Sequence, residues 1–170
     1  MVTETFEIVE KEIGPVVEIE ENVKVWQMPK TFGRYYEAIN NYLLSHDAKC
    51  SAMPYARYVD MDWEIEVNRG TLGNLIAVLF KRWHFYAGLP STKMLPSSGE
   101  FKAQEMKTQK YARALHKGPY KDVGPIYKAL FEWARTQNVR LKNEAMEFYL
   151  NDPSEVKAED IETEIYIPLI

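Results

Sequence analysis

Alternating apolar and polar positions run through most of this chain. Alternation with period two, bounded by Gly or Pro and rich in Val and Ile, is typical of β-strands because successive side chains point to opposite faces. This pattern predicts strands at Phe6–Ile13, Pro15–Met28, Tyr55–Met61, Trp63–Val67, Phe101–Met106, Lys110–His116, Met146–Leu150 and Thr163–Pro168.

Three other segments repeat their apolar residues at the spacing of one helix face. The first begins at Thr31, a candidate N-cap, and ends at Ser45-His-Asp47. The second, helix 72–86, ends before Gly88-Leu-Pro90, and the third covers residues 123–136. Helix 72–86 carries an unusually apolar stripe, which must be buried against something. The stripe consists of Leu72, Leu75, Ile76, Leu79, Phe80 and Trp83.

The second half of the chain repeats the first, because both halves have the order strand, helix, strand, strand. An offset of 91 residues aligns Gly33 with Gly124, Tyr36 with Tyr127, Ala38 with Ala129, Tyr42 with Trp133 and Tyr58 with Tyr149. Beyond Asp60 the offset becomes 100, which aligns Glu64-Ile65 with Glu164-Ile165. We therefore expect a single domain with a first module at about 6–70, an inserted helix and linker at 71–99, and a second module at 100–170.

The strand at Met146–Leu150 carries an acid among apolar neighbours. Met146, Phe148 and Leu150 share one face, which we interpret as core, whereas Glu147 and Tyr149 share the other. Glu147 aligns with Ala56, so the two copies differ at this position. The terminal strand also has Glu164 and Tyr166 on one face. Two interpretations of Glu147 stay open: a ligand-binding carboxylate in a cleft, or an ordinary Glu on an exposed sheet face.

Composition and short motifs limit the kinds of partner that this chain is expected to bind. The chain has 21 basic and 25 acidic residues and no long basic run, so we expect no direct nucleic-acid binding. A single cysteine, Cys50, and an N-terminus without an export pattern favour the cytoplasm. The apolar run 72–80 is shorter than the ~20 residues of a membrane span. His46, His84 and His116 lie on different elements, so we expect no metal, and no nucleotide motif indicates a cofactor.

Several segments resemble the gyrase-inhibitor-like (GyrI-like) small-molecule-binding family, which includes the effector-binding domains of multidrug-responsive transcription activators. The resemblance covers about residues 15–168. It rests on Ala112-Arg-Ala-Leu-His-Lys-Gly-Pro-Tyr120, Glu147-Phe-Tyr-Leu-Asn-Asp-Pro153, Glu164-Ile-Tyr-Ile-Pro168, Pro54-Tyr-Ala-Arg-Tyr-Val-Asp-Met-Asp62 and Glu64-Ile-Glu-Val67.

This resemblance implies an α+β fold of duplicated strand-helix-strand-strand modules, with antiparallel sheet, pseudo-twofold symmetry and a central ligand cleft. It also implies an acidic ligand-binding residue at the position of Glu147. The chain departs from the family pattern at Leu72–Pro90, which is longer than the usual linker. Since no DNA-binding segment precedes residue 15, we expect no direct transcriptional control.

The sequence leaves three functions open. The first is a stand-alone bacterial protein that binds hydrophobic, aromatic or cationic drug-like compounds, with ligand-binding residues Glu147, Tyr149, Tyr58, Tyr166 and Tyr111. The second is a hydrolase of reactive cyclopropane-type electrophiles, with Glu147 as general base and Tyr149 as proton donor. The third is a gyrase-inhibitor-like protein interaction. Helix 72–86 is either core, a lid over the cleft, or the contact with a second copy of the chain.

Overall fold

A computed structural model describes residues 5–70 and 81–170 and divides them into two compact units. Unit 1 contains residues 5–11, 60–68 and 109–170, and unit 2 contains residues 12–59, 69–70 and 81–108. In chain order the elements are β1 Phe6–Lys11, β2 Gly14–Lys24, α1 Met28–Ser45, β3 Tyr55–Tyr58, α2 Trp63–Asn68, β4 Arg82–Pro90, β5 Phe101–Met106, β6 Gln109–Lys117, α3 Gly124–Thr136, β7 Ala145–Tyr149 and β8 Glu162–Pro168.

Unit 2 is an antiparallel sheet in the order β3, β4, β2, β5, with α1 packed on β2 and β4. Helix α1 buries Tyr35, Ile39 and Leu43, which recur at the spacing of one helix face. Ile19 on β2 and Phe85 on β4 are also buried. The hydrophobic core of this unit therefore includes the apolar stripe of α1 and inward side chains of the two long strands.

Unit 1 has the corresponding arrangement. Its antiparallel sheet has the order β7, β8, β6, β1, and α3 packs on β6 and against α2. Helix α3 buries Ile126, Leu130 and Ala134, and Ile165 and Ile167 of β8 are fully buried. The unit thus has its own hydrophobic core.

The two units share one topology. The series β2, α1, β3, β4 and the series β6, α3, β7, β8 give the same strand orders, and each sheet gains a fourth strand beside its first, β5 in unit 2 and β1 in unit 1. This confirms the predicted α+β class with antiparallel strand-helix-strand-strand modules. The fourth strands differ from the prediction, because β5, expected in the second module, pairs with β2.

Residues 63–67 form a helix, so the predicted strand there is wrong. The Asp62 carboxylate accepts a hydrogen bond from the Ile65 amide at 3.2 Å, as an N-cap does, and Glu64 and Glu66 place negative charge in the first turn. Trp63 is buried against α3, while Ile65 stays 58% exposed. The alignment of Glu64-Ile65 with Glu164-Ile165 is therefore also wrong.

The last strand of the first module is β4, which begins at Arg82. The predicted helix 72–86 is thus wrong for residues 82–86, while residues 71–80 lie outside the described part of the chain. Period-two alternation explains the strand, since Phe85 and Ala87 are fully buried whereas Arg82 is exposed. The predicted linker at 91–99 joins β4 to β5 inside unit 2.

Helix α1 begins three residues before its predicted N-cap. Pro29 occupies the second helical position, where its missing N–H costs no hydrogen bond. Thr31 lies inside the helix, and its hydroxyl donates to the Gln27 carbonyl at 2.9 Å. Pro29 therefore starts the helix instead of ending the strand, and β2 stops at Lys24.

Candidate functional site

Glu147 lies at the middle of β7 and is only 8% exposed. Ala145, Met146 and Phe148 are buried as well, so both faces of this strand are covered. The interpretation of Glu147 as an exposed sheet residue is therefore wrong. Taking a carboxylate out of water is costly unless hydrogen bonds hold it.

Two phenols of unit 1 hold the Glu147 carboxylate. The Tyr127 hydroxyl donates to Oε1 at 2.8 Å, and the Tyr149 hydroxyl donates to Oε2 at 3.1 Å. Tyr127 lies in the first turn of α3, which starts at Gly124-Pro125, whereas Tyr149 follows on the same strand. A neutral hydroxyl stabilises a carboxylate without adding positive charge, so these two contacts do not neutralise it.

Further aromatic rings surround these phenols. Trp63 stacks on Tyr127 with ring centroids 5.8 Å apart and 23° between the planes, and its indole N–H donates to the Lys142 carbonyl at 2.7 Å. Tyr120 meets Tyr149 edge to face at 5.5 Å. Burial raises the pKa of Tyr120, and the negative charge of Glu147 raises it further. An aromatic shell of Trp63, Tyr120, Tyr127 and Tyr149 thus lies near the carboxylate.

A second acid cluster occupies the opposite face of the same sheet. Glu147 is opposite Ile165 in the β7–β8 register, whereas Phe148 is opposite Glu164, and consecutive strand residues point to opposite faces. The Tyr166 hydroxyl donates to Glu164 Oε2 at 2.9 Å, and Arg113 donates to Oε1.

The titration of this cluster follows from burial and from its ion pair. Burial raises the pKa of Tyr166, and its hydrogen bond to Glu164 brings it to about 12. Burial by itself would raise the pKa of Glu164, but the hydrogen bonds from Arg113 and Tyr166 lower it below its ordinary value. Glu164 is therefore a carboxylate neutralised by an arginine.

Unit 2 contains a buried carboxylate of the same kind. Glu18 is fully buried, and Arg57 binds both of its oxygens, with Nε–Oε1 at 2.9 Å and Nη2–Oε2 at 2.8 Å. The Tyr55 hydroxyl donates to Oε1 at 2.9 Å and the Gln104 amide to Oε2 at 2.7 Å. Bidentate pairing with further hydrogen bonds is what a buried ion pair requires.

The sequence matches the family described as "GyrI-like small molecule binding domain" over residues 42–170. The chain belongs to the GyrI-like family. A search of curated proteins gave no match.

Solved structures with the same fold share little sequence with this GyrI-like chain. The EcmrR C-terminal domain is 16% identical, with a TM-score of 0.69 and 99% of each chain covered. A hydrolase from Listeria innocua is 10% identical, with a TM-score of 0.60 over 96% of this chain and 92% of that one. SAV2435 bound to tetraphenylphosphonium is 13% identical, with a TM-score of 0.52 over 96% and 94%. At these identities the likeness shows the fold alone.

The structure of this GyrI-like domain places four of the predicted site residues in unit 1 and one in unit 2. Glu147 and Tyr149 are together. Tyr111 and Tyr166 pack edge to face at 5.6 Å on the opposite face of that sheet. Tyr58 belongs to unit 2, where its ring lies 6.2 Å from that of Phe85.

The sequence pattern did not identify Tyr127, Trp63 and Tyr120 as neighbours of Glu147. Tyr127 falls in the apolar stripe of α3, so the pattern gave it no distinct role. One signal was available, since the offset of 91 aligns it with Tyr36, whose hydroxyl donates to the Tyr55 carbonyl of β3 at 2.9 Å. A tyrosine at this helical position thus reaches the second module strand in both units.

The described residues contain neither a candidate metal site nor a helix that could span a membrane. Across residues 5–70 and 81–170, no three His, Cys, Asp or Glu side chains converge as a metal site would require. In the same residues no helix is both long and apolar enough to cross a membrane. The predicted absence of metals and cofactors stays a prediction.

Proposed function

We propose that this GyrI-like domain binds hydrophobic or aromatic organic cations at Glu147. The observation that carries the proposal is a buried carboxylate held by two neutral phenols and surrounded by aromatic rings. A buried carboxylate attracts a positive charge, and the phenols of Tyr127 and Tyr149 hold this one in place by hydrogen bonds. Aromatic faces contribute cation-π attraction of about 0.5–2 kcal/mol.

A delocalised cation suits this arrangement better than a compact ammonium ion. Its charge is weakly hydrated, so entry into an aromatic site costs little desolvation, while its apolar surface gains from burial. SAV2435, which shares the fold, is described as bound to tetraphenylphosphonium, a cation of this type. That compound is therefore the first probe for the present chain.

Replacement of Glu147 by Gln tests the proposal. Glu147→Gln keeps the shape and a hydrogen-bond acceptor but removes the charge, so tetraphenylphosphonium binding should weaken by about 1–3 kcal/mol. Titration calorimetry measures the change. Glu10→Gln is the matched control, since it removes the same charge from an exposed strand position of unit 1 and should leave the affinity unchanged.

Equal affinity of the wild type and Glu147→Gln, with both proteins folded, would exclude the carboxylate as the cation's partner. Tyr127→Phe refines the result, because it retains the ring and removes one hydrogen bond to Oε1. We expect tetraphenylphosphonium to bind Tyr127→Phe more weakly than the wild type, by about 0.5–1.5 kcal/mol of binding free energy.

Hydrolysis is a second candidate function. Tyr149 and Glu147 place a phenolic proton donor 3.1 Å from a carboxylate, which is an acid and a base within reach of one substrate. On a reactive cyclopropane, Glu147 would take a proton from water as the water oxygen bonds to one ring carbon. The electron pair of the broken C–C bond would take the Tyr149 proton at the other carbon, and Glu147 would then return its proton to the Tyr149 phenolate. The Listeria innocua protein with this fold is described as a hydrolase.

Mass spectrometry distinguishes turnover from binding. A hydrolase would convert a cyclopropane electrophile to a product heavier by one water, and Glu147→Gln would slow this about 10²–10⁴-fold. Unchanged substrate after prolonged incubation with saturating protein would leave binding alone for that compound.

A further inference from the structure

The side chain of Lys11 contacts two aromatic faces in unit 1. Its ammonium nitrogen lies 4.9 Å from the ring centre of Tyr166 and 5.3 Å from that of Phe148. A cation within about 6 Å of a ring centre is attracted by the negative face of the ring. Lys11 belongs to the edge strand β1, so its long side chain reaches over the sheet to β8 and β7.

The two rings form a preorganised corner. Phe148 and Tyr166 meet edge to face with centroids 5.5 Å apart, and both side chains are buried. Tyr111 also packs edge to face on Tyr166, which restricts the orientation of that ring. The cation therefore meets aromatic surfaces that are held in place by their neighbours.

The Glu164 carboxylate, which is already paired with Arg113, lies near these rings. Glu164 accepts the Tyr166 hydroxyl at 2.9 Å, and the charge of Lys11 is among the causes that lower the pKa of Glu164. Aromatic ring faces are the surroundings in which proteins recognise alkylated ammonium ions. We call Phe148, Tyr166 and Glu164 the Lys11 cage.

This cage is distinct from the site at Glu147. Glu147 and Phe148 are consecutive residues of β7 and point to opposite faces of the sheet. Ligand binding in the cage is therefore an activity separate from the proposed function.

We propose that the Lys11 cage is a binding site for small alkylammonium ions and that Lys11 is its internal ligand. The rings of the cage contact the ammonium group of Lys11, and their attraction depends on its positive charge. A free alkylammonium ion carries the same charge and can make the same contacts. An external ion has to displace Lys11, so the intact protein binds such ions weakly. Removal of the lysine side chain opens the site.

Lys11→Ala provides the test, because it deletes two methylenes and the ammonium-bearing carbon, three carbons in all, which is the size of n-propylammonium. This ion should bind Lys11→Ala about tenfold or more tightly than the wild type, the factor that corresponds to a desolvated cation-π contact. Proton NMR of the ligand measures the dissociation constant. It also carries a specific signature, since protons held over two rings shift upfield.

Three controls separate the cage from nonspecific effects. 1-Propanol has the same length without the charge and should not bind Lys11→Ala comparably. Lys11→Met fills the space with a neutral chain and should bind n-propylammonium no better than the wild type. Phe148→Leu in the Lys11→Ala background removes one ring and should weaken binding and reduce the upfield shift.

Equal n-propylammonium binding by Lys11→Ala and the wild type would overturn the proposal, and so would equal binding with and without Phe148. Circular dichroism establishes that each variant is folded. If Lys11→Ala does not fold, Lys11→Thr removes the same ammonium group with a residue suited to a strand, and the same comparison applies.

Discussion

At the scale of single residues, Glu18 and Glu147 are buried carboxylates with different partners. Glu18 shares its charge with Arg57 in a bidentate pair, whereas Glu147 accepts from the phenols of Tyr127 and Tyr149. A neutralised carboxylate contributes mainly to stability, because a ligand cation would have to compete with an arginine already in place. The two acids therefore require different experiments, unfolding for Glu18 and ligand titration for Glu147.

Breaking the buried pair should destabilise unit 2. Arg57→Met leaves the Glu18 charge buried among fewer donors and should lower the free energy of unfolding by about 3–5 kcal/mol in urea titrations. Adding Glu18→Gln to Arg57→Met should recover part of this loss. Arg135→Met is the control, since Arg135 and its partner Glu64 are mostly exposed, and we expect a change of about 0–1 kcal/mol. Similar losses for both arginines would contradict the assignment.

Glu20 makes stability depend on acid pH. Hydrogen bonds from Lys102 and His84 lower the pKa of Glu20 from 4.5 to about 2. A depressed pKa means that the unfolded chain takes up the proton first, so the contribution is complete above about pH 4.5 and is lost as pH falls toward 2. Urea midpoints between pH 7 and pH 3 should fall more steeply for the wild type than for Glu20→Gln. Parallel curves would show that this carboxylate adds nothing.

At the scale of elements, the β3–β4 pair depends on a glycine. Gly88 is directly opposite Tyr55, and a Cβ atom at Gly88 would lie 2.3 Å from Tyr55 Cζ. Tyr55 is fully buried and its hydroxyl donates a hydrogen bond to Glu18, so the ring cannot shift without breaking these contacts. Gly88→Ala should therefore cost at least about 1–3 kcal/mol of unfolding free energy.

The matched control for this glycine is Gly33→Ala. Gly33 lies inside α1, and a Cβ atom added there would have no heavy atom within 4 Å. Alanine should therefore stabilise the protein by about 0.5–1 kcal/mol through helix propensity. Thermal melts of the two variants should shift in opposite directions. A stabilising Gly88→Ala would mean that β3 and β4 pair in another register.

Local periodicity predicted most elements, because most strands and the helices α1 and α3 each keep one period over their whole length. Strand β4 is an exception, since its first residues were predicted as part of helix 72–86. It failed at 63–67, where Trp63, Ile65 and Val67 alternate like a strand but Asp62 caps a helix whose tryptophan packs on α3. Six residues are too few to separate the two periods. Tertiary packing decided the outcome, and the sequence does not display it.

The candidate site was predicted only within single strands. Strand parity correctly grouped Glu147 with Tyr149, because that grouping needs one element. Grouping them with Tyr166 requires the β7–β8 register, and a shift of one residue moves a side chain to the other face. Tyr127 requires knowledge of how α3 lies on the sheet. Contacts between different elements could therefore not be predicted from the sequence pattern, because the pattern of one element does not fix its position on another.

At the scale of the whole molecule, β1 belongs to unit 1, whereas β2, which follows after a two-residue gap, belongs to unit 2. Strand β1 pairs with β6 along its full length, and Phe6 packs on Trp133 of α3 with ring centroids 5.9 Å apart. Deletion of residues 1–11 should therefore expose the edge of β6 and speed amide hydrogen exchange in β6. Exchange in β2 and β4 should change less. A uniform increase over both units would instead indicate one cooperative structure.

The same interleaving has a consequence for a chain cut after Thr108. The N-terminal fragment would keep β1 and α2, whose partners β6 and α3 lie on the other fragment. The fragments would then be joined by donor-strand complementation, in which β1 supplies the missing edge of its sheet. Co-expressed fragments fused to the halves of a split reporter should reassemble, and omitting residues 1–11 should weaken the signal. The protein would then be a scaffold for reporting strand exchange.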